Sequence, residues 1–240
     1  MLIGPQNVAV HVNHVRSRIL KAALAAGRDP TSVTLVAVSK TKPADFVRSA
    51  ATAGVTDFAE NYLQEALPKM NDLQCPALTW HFVGGLQSNK TRAVAENFHW
   101  VHSIDRISVA RRLSEQRPFH APALNLCIQV ALVPEPNKGG IDADNLAELA
   151  AGIAALPRVK LRGLMCVPPP QTSVAAERAV FSHLRQLLDK LNADGLDLDT
   201  LSMGMSGDFE SAIAEGATQV RIGTALFGGR DYPIPTTRLA

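Results

Sequence analysis

The strongest constraint on the fold is an alternation that repeats along the chain. From about residue 33 onward, short apolar runs rich in β-branched residues alternate with segments of helical period, which is typical of βα units. Eight runs predict strands, at residues 33–40, 57–61, 79–84, 100–105, 124–132, 160–168, 199–203 and 219–227. Seven segments between them predict helices, at residues 44–53, 62–73, 91–98, 107–116, 142–156, 175–193 and 208–215.

Eight βα units in 240 residues favour one α/β domain, a closed (β/α)8 barrel of the TIM type. An open doubly wound sheet is the alternative. An extra helix at residues 6–26 precedes the first strand, and Gly27 stands where a C-terminal cap is expected. We expect this helix to close one end of the barrel or to pack across its outside. Because no linker-like composition interrupts the chain, we predict a single domain over 1–240, with the N-terminal helix in 1–30 and a tail at 231–240.

The net charge and the cysteine spacing limit the kinds of binding partner and metal site that can be expected. The chain has 24 basic and 22 acidic residues, so its net charge of +2 gives no reason to expect nucleic acid or a membrane surface as a partner. Cys75, Cys127 and Cys166 lack the paired spacing of a zinc site or a disulfide framework, so we predict reduced thiols and no metal. The N-terminus does not resemble a secretory leader and no stretch could span a bilayer, so we expect a cytoplasmic location.

Lys40 is the first candidate for chemistry, because barrel active sites lie at the C-terminal ends of the strands. Strand alternation places Lys40 on one face with Val36 and Val38. Partial desolvation there favours the neutral amine, which is the form that attacks an aldehyde to make an imine. A lysine that simply reaches solvent is the alternative. Lys42 competes for the role, but it follows the strand next to Pro43, and we expect it to face water.

The segments after the seventh and eighth strands of a barrel often bind phosphate. Residues 206–208 and the pair Gly223 and Thr224 occupy these two places. Glycine lets the backbone approach a phosphate, and hydroxyls donate to its oxygens. Two simpler interpretations stay open: Ser206 could only cap the following helix, and Gly223 could only form a tight turn.

Arg221 interrupts the apolar run VRIGTALF, where a guanidinium is costly unless acceptors surround it. It could form an ion pair with Glu60 or Asp105 from neighbouring strands. It could instead donate to a ring nitrogen of a bound cofactor.

Seven stretches together resemble a known family: AVSKTKP (37–43), ENYLQE (60–65), HFVGGLQSNK (81–90), HSID (102–105), RGLM (162–165), LSMGMSGDFESAI (201–213) and RIGTALFG (221–228). They are similar to the pyridoxal phosphate homeostasis proteins, also called the YggS/PROSC family. The match covers nearly the whole chain, and SKTKP, SMGMSGDFE and RIGTALFG are its most specific pieces.

The resemblance implies a fold-type III barrel like the N-terminal domain of alanine racemase, without the second β-domain, that binds pyridoxal 5′-phosphate (PLP). It implies that Lys40 forms the imine with PLP and that Arg221 faces the pyridine nitrogen. It also implies a phosphate site and a ring pocket, formed respectively by Ser206, Gly223 and Thr224 and by Asn61 and Met203. Lys138 matches a second lysine of the family near the site, and Gly85 replaces a larger residue or proline, which could alter loop rigidity.

These implications favour a protein that carries or buffers PLP in vitamin B6 homeostasis, without fast amino acid turnover. Arg221 donates to the pyridine nitrogen and cannot protonate it as an aspartic acid partner would. A racemase also needs a second acid or base, and Tyr62 and Tyr232, the only tyrosines, are not obvious candidates. We expect a monomer whose further partners are PLP-accepting apoenzymes.

Three alternatives remain open. The first is a small PLP-dependent racemase or related enzyme whose second base is His81 or a residue supplied by a dimer partner, although we favour a packing or hydrogen-bonding role for His81. The second is a barrel enzyme that forms a Schiff base between Lys40 and a sugar phosphate. The third is a scaffold with a vestigial pocket.

Overall fold

Eight parallel strands close into a barrel in the computed structural model, which describes residues 3–133 and 139–229. The strands pair in sequence order, and β8 pairs with β1 through the register Val36 to Arg221, which confirms the predicted barrel and excludes the open sheet. The strands are β1 (Thr34–Val38), β2 (Asp57–Glu60), β3 (Thr79–Phe82), β4 (Trp100–Ile104), β5 (Leu124–Gln129), β6 (Val159–Met165), β7 (Thr200–Ser202) and β8 (Gln219–Ile222).

Helices cover the outside of the barrel. They are α1 (Val8–Ala25), α2 (Ala44–Thr52), α3 (Leu63–Leu73), α4 (Thr91–Asn97), α5 (Ile107–Gln116), α6 (Leu146–Ala154), α7 (Val174–Ala193), α8 (Phe209–Ala214) and α9 (Thr224–Phe227). Short 3-10 turns lie at Pro5–Asn7, Pro30–Ser32, Ser88–Lys90 and Ala143–Asn145.

Helix α1 packs across the outside of the barrel, against α2, α8 and α9. Its buried side chains, Val8, Val12, Val15, Ile19 and Ala23, recur at helical spacing and form one apolar stripe. Because α9 has only four residues, α1 fills the place in the outer ring that a full helix after β8 would take. Gly27 ends this segment with a φ of 66°, as the sequence predicts.

The apolar core lies mainly between the strands and the helices. Strand residues that point outward, such as Phe58, Trp80 and Phe82, belong to this layer. A second, small apolar cluster of Trp100, Cys127 and Met165 is separate from it. Since neighbouring residues of a strand point to opposite faces, we assign the second cluster to the barrel interior. Buried polar side chains share that interior, at His81, His102, Ser202 and Arg221, together with the partly exposed Asp57.

The eighth strand is shorter than predicted. It ends at Ile222, and residues 224–227, expected to continue it, form α9 instead. Gly223, with φ −114° and ψ −74°, leaves the extended conformation and begins the helix. A run as short as these four residues has no period that separates strand from helix, so the sequence pattern could not reveal this change.

Candidate functional site

A cleft of about 290 Å³ opens at the C-terminal ends of the strands. Its lining comes from both halves of the barrel: Val38, Lys40, Asn61, Val83, Val167, Met205, Ser206, Gly207, Arg221, Gly223 and Thr224. Six of the seven predicted site residues are therefore brought together, namely Lys40, Asn61, Ser206, Arg221, Gly223 and Thr224. Their roles in binding stay predictions.

Met203 does not share this position. It is fully buried in the layer between strands and helices, and Met205 lines the cleft in its place. Met203 directly follows the inward-facing Ser202, so alternation turns it outward. Gly204 then adopts a φ of 91°, which breaks the alternation and brings Met205 to the cleft.

Lys40 lies in the turn that follows β1, two residues beyond the last strand residue, and it is half-buried. Thr41 next to it has a φ of 64°, a conformation that β-branched residues rarely adopt. The carboxylate of Glu65 accepts a hydrogen bond from the Thr41 N–H at 2.7 Å, and Lys69 donates to the Ser39 carbonyl at 2.9 Å. Two side chains of α3 thus hold the backbone on both sides of Lys40.

A buried charge cluster lies beneath this turn. The Lys69 Nζ contacts Glu60 Oε1 at 2.5 Å, and the Ser39 hydroxyl donates to the same oxygen at 2.7 Å. Burial raises the pKa of the Glu60 carboxyl above its usual value, although Lys69 and Ser39 oppose the shift. Sequence reasoning missed Glu65 and Lys69. The available signal was their spacing of four residues on the helix after β2, which puts them on one face.

Lys42 does not face water as expected. Only 7% of its surface is exposed, its Nζ donates to the Gly229 carbonyl at 2.9 Å, and the ammonium lies 5.4 Å from the ring centre of Phe46. The chain after α9 returns over the end of β1 and supplies this acceptor. That approach joins residues 187 positions apart, which no local pattern could reveal.

The ends of β7 and β8 form one unit. The Ser206 hydroxyl accepts a hydrogen bond from the Ala225 N–H at 3.2 Å, so it caps α9 rather than the following helix α8. Asp208 accepts instead from the Met205 N–H at 2.6 Å, and burial raises the pKa of its carboxyl. Ser206 and Thr224 both line the cleft, so their hydroxyl groups can present donors to it.

Arg221 lies at the floor of the cleft with 5% of its surface exposed. Its guanidinium donates to Ser202 Oγ at 2.7 Å and to the Cys166 carbonyl at 2.8 Å. Burial lowers its pKa from the ordinary arginine value. The alternative of an ion pair with Glu60 or Asp105 is wrong, because these carboxylates pair with Lys69 and Arg106.

His81 is fully buried, and its ring nitrogens contact Asp57 at 3.0 Å and His102 at 2.9 Å. It therefore has the hydrogen-bonding role that the sequence favoured. Lys138 lies outside the described residues, as does the predicted tail at 231–240.

Comparison with known proteins identifies the family. The family model for the alanine racemase N-terminal domain matches residues 10–231. The pyridoxal phosphate homeostasis protein of Pseudomonas aeruginosa is 56% identical over 230 residues, which cover 96% of this chain and 99% of the relative. This chain belongs to the pyridoxal phosphate homeostasis protein family. The resemblance stated from the sequence motifs is thereby confirmed.

Solved structures agree with this family assignment. PipY of Synechococcus elongatus, solved with PLP bound, superposes with a TM-score of 0.82 at 39% identity and covers 92% of this chain and 100% of its own. Alanine racemase from Corynebacterium glutamicum shares the fold, with a TM-score of 0.69 at 17% identity, over 95% of this chain and 62% of the racemase.

Two further observations concern residues 3–133 and 139–229. No helix there has the length and apolar character needed to cross a bilayer. Nor do three or more His, Cys, Asp or Glu side chains there gather as ligands for a metal ion.

Proposed function

We propose that this chain binds PLP in the cleft, as an imine on Lys40, and carries or buffers it without fast turnover of amino acids. One observation carries the proposal: an amine, a buried guanidinium and hydroxyl groups that can donate hydrogen bonds to a phosphate all line one cleft. Membership of the homeostasis family and the PLP bound in PipY support the same ligand.

The phosphate end of the cleft suits a phosphate monoester. Gly223 and Thr224 line this end, and the Thr224 hydroxyl can donate to a phosphate oxygen. Ser206 accepts from Ala225, which leaves its own hydroxyl hydrogen free to donate to a phosphate oxygen. A Cβ on Gly223 would lie 3.3 Å from the Val38 carbonyl oxygen, so this position favours a residue without a side chain.

The middle of the cleft suits a polar aromatic ring. Within the described residues, no hydrogen-bond partner reaches the buried Oδ1 of Asn61. A ring hydroxyl of the ligand could donate to this oxygen, which would remove the cost of leaving it unpaired. Arg221 has further N–H groups besides the two that Ser202 and Cys166 accept, and these can donate to a ring nitrogen.

Bound PLP supplies an aldehyde, which reacts with an amine, and an electron-withdrawing ring. The protein's own residues divide the remaining work. Lys40 provides the attacking amine, and the contacts of Glu65 and Lys69 to the backbone beside it hold that amine toward the cleft. Arg221 stays a donor, since a guanidinium keeps its proton.

The side chains in and below the cleft argue against fast turnover of amino acids. Tyr62 is exposed, and the described residues that line the cleft include no tyrosine. His81, the candidate base of the racemase alternative, is fully buried and has both ring nitrogens engaged. A carrier needs reversible binding only, which this donor set provides.

We further propose that residues 1–240 act as one binding domain, that the protein works as a monomer in the cytoplasm, and that PLP-accepting apoenzymes receive its cargo. Lys138 could take part in the exchange as a second amine. Cys75, Cys127 and Cys166 are all free thiols, which fits a reducing compartment. Sedimentation, cell fractionation and transfer of PLP to an apoenzyme test these points.

The central test is reduction of the PLP-loaded protein with borohydride, followed by mass mapping of the modified lysine. We expect a visible imine absorbance and a phosphopyridoxyl group on Lys40. Lys40→Ala should lose both signals. The control Lys21→Ala, which removes an exposed lysine of α1, should keep them.

Two results would contradict the proposal. An adduct that maps to Lys42 or to scattered surface lysines would reject Lys40 as the binding amine. Racemisation or decarboxylation of an amino acid with a kcat on the order of 1–10³ s⁻¹ would reject the carrier function in favour of an enzyme.

A further inference from the structure

A continuous line of hydrogen-bonded side chains crosses the barrel interior below the cleft. It runs from Arg221 Nη1 to Ser202 Oγ at 2.7 Å, from Ser202 Oγ to His102 Nδ1 at 2.8 Å, from His102 Nε2 to His81 Nδ1 at 2.9 Å, and from His81 Nε2 to Asp57 Oδ1 at 3.0 Å. Its five side chains come from five strands, β8, β7, β4, β3 and β2, so it links residues that are distant in sequence. We call these five side chains the interior chain.

The interior chain joins the two ends of the barrel. Arg221 lines the cleft at the C-terminal end of the strands. Asp57 is the first residue of β2 and lines a separate cavity of about 370 Å³ with residues such as Thr34 and Thr56. The side chain of Asp57 is 20% exposed, whereas His81, His102 and Ser202 are fully buried.

The cationic end is compatible with donation from Ser202 to His102. A guanidinium can only donate, so Ser202 Oγ accepts from Arg221. Ser202 keeps one hydroxyl hydrogen that it can donate to His102 Nδ1, but its oxygen also has a second acceptor site, so this end alone does not fix the direction. A neutral His102 that accepts at Nδ1 carries its own hydrogen on Nε2.

The anionic end fixes the direction. A carboxylate can only accept, so His81 donates from Nε2 to Asp57. A neutral His81 then accepts at Nδ1, and the donor that faces it is His102 Nε2. With neutral rings, this end requires the Nε2–H form of both histidines, and Ser202 then donates to His102 Nδ1.

The electrostatics of the interior chain agree with neutral histidines. Burial lowers the pKa of His81, and the pKa of His102 lies well below its ordinary value because of burial and the nearby His81 and Arg221. Burial acts to raise the pKa of Asp57, but the hydrogen bonds from His81 and Thr56 outweigh it and the pKa is lowered. A cation and an anion thus end a line of neutral donors.

We propose that Ser202, His102, His81 and Asp57 are positioning residues that lock Arg221 as a donor at the cleft floor; the part of this inference that concerns PLP rests on the proposed function. A carboxylate in direct contact with Arg221 could accept two N–H groups of the guanidinium and neutralise much of its positive charge. The interior chain uses one N–H through a neutral hydroxyl instead, and aligned hydrogen bonds polarise one another. The remaining N–H groups stay available to a ligand.

The direction of the interior chain can be tested without any cofactor. Long-range proton–nitrogen NMR correlations on the apo wild-type protein report which ring nitrogen of each histidine carries hydrogen. We expect neutral rings with hydrogen on Nε2 alone for both His81 and His102. The stacking of His81 on Trp100, with ring centres 5.6 Å apart, assists the assignment. An Nδ1–H form or an imidazolium at either position would overturn the inference.

The locking of Arg221 has its own readout in the apo protein. Restricted rotation should give separate signals for the Nη groups of Arg221, and Ser202→Ala should average them. The control Ser114→Ala removes a buried hydroxyl that donates to the Pro157 carbonyl on the outside of the barrel, and it should leave the Arg221 signals unchanged. Unchanged signals in folded Ser202→Ala would reject the positioning role.

PLP titration then separates this inference from the proposed function. We expect Ser202→Ala and His102→Leu to weaken PLP binding roughly fivefold to tenfold and to shift the visible band, with partial rescue in His102→Gln, whose amide can both accept and donate. Equal binding and an unchanged band in folded Ser202→Ala would reject the effect on PLP. A wild-type protein that binds no PLP would reject the proposed function, while the apo NMR results would still decide the interior chain.

Discussion

At the residue scale, the turn around Lys40 is more constrained than its sequence suggests. The φ of 64° at Thr41 is costly for a β-branched residue, and such strain persists only where the surroundings enforce it. Glu65 and Lys69 provide this constraint from α3, on either side of the lysine. The sequence predicted the amine at the strand end, but the contacts that hold it come from another βα unit.

The buried pair of Glu60 and Lys69 provides a stability test. Lys69→Met should cost about 3–5 kcal/mol at neutral pH, because it leaves a buried carboxylate without its cation. The double variant with Glu60→Gln should cost less than the sum of the single changes, as residues in one network are coupled. Urea unfolding of the four proteins measures this double-mutant cycle.

The stability loss in Lys69→Met should depend on pH, and the direction of that dependence can be predicted. The folded-state pKa of Glu60 is raised, so protonation of Glu60 at lower pH favours the folded state, and the loss should shrink as the pH falls. Arg48→Met is the control, since Arg48 and Asp72 form an exposed pair and their separation should have little effect. Equal losses in Lys69→Met and Arg48→Met would show that burial does not matter here.

At the element scale, the end of β8 is a place where the sequence pattern does not distinguish strand from helix. The residues after Gly223 were predicted to continue the strand, yet they fold into α9. A hydroxyl from the preceding βα unit caps this helix, through the bond from Ala225 to Ser206. The two places predicted to hold phosphate are therefore joined by a hydrogen bond that neither segment could form alone.

Removal of this cap should affect both stability and binding. Ser206→Ala should destabilise the protein by about 1 kcal/mol, the usual effect of losing a helix cap, and should weaken PLP binding because a phosphate donor is also lost. Calorimetric unfolding and PLP titration measure the two effects.

Ser173→Ala is the matched control for Ser206→Ala. Ser173 caps α7 by accepting from the Ala176 N–H at 3.2 Å, and it is not one of the residues that line the cleft. This variant should lose similar stability and keep its PLP affinity. A Ser206→Ala protein with wild-type affinity would remove Ser206 from the phosphate site.

At the scale of the whole molecule, the barrel interior contains two buried histidines, His81 and His102, whose pKa values are lowered by burial, so stability should depend on pH. Their folded-state pKa values are lowered, so the unfolded chain takes up protons first as the pH falls below about 6.5. The free energy of unfolding should fall toward acid, by at most about 1.4 kcal/mol per pH unit for each histidine. Urea unfolding between neutral and mildly acidic pH measures this slope.

His102→Gln should reduce the slope by up to one proton, because it removes one of the histidines whose folded-state pKa is lowered, namely His81, His99 and His102. His183→Gln, which removes an exposed histidine of α7, serves as the control and should keep the slope. Glu60 acts in the opposite direction at lower pH, since its folded-state pKa is raised. A slope that is the same in His102→Gln and in the wild type would contradict a buried neutral His102.

The amino-acid pattern was enough to predict the architecture and most residues of the cleft. Strand alternation and helical period are local, and closing eight βα units brings the strand ends to one face, so Lys40, Ser206 and Arg221 could be located from position alone. The side chains that support them became known from the folded structure alone. These supporting contacts join separate βα units: Lys69 with Ser39, Lys42 with Gly229, and Arg221 with Ser202. Their geometry depends on how side chains pack inside and around the closed barrel.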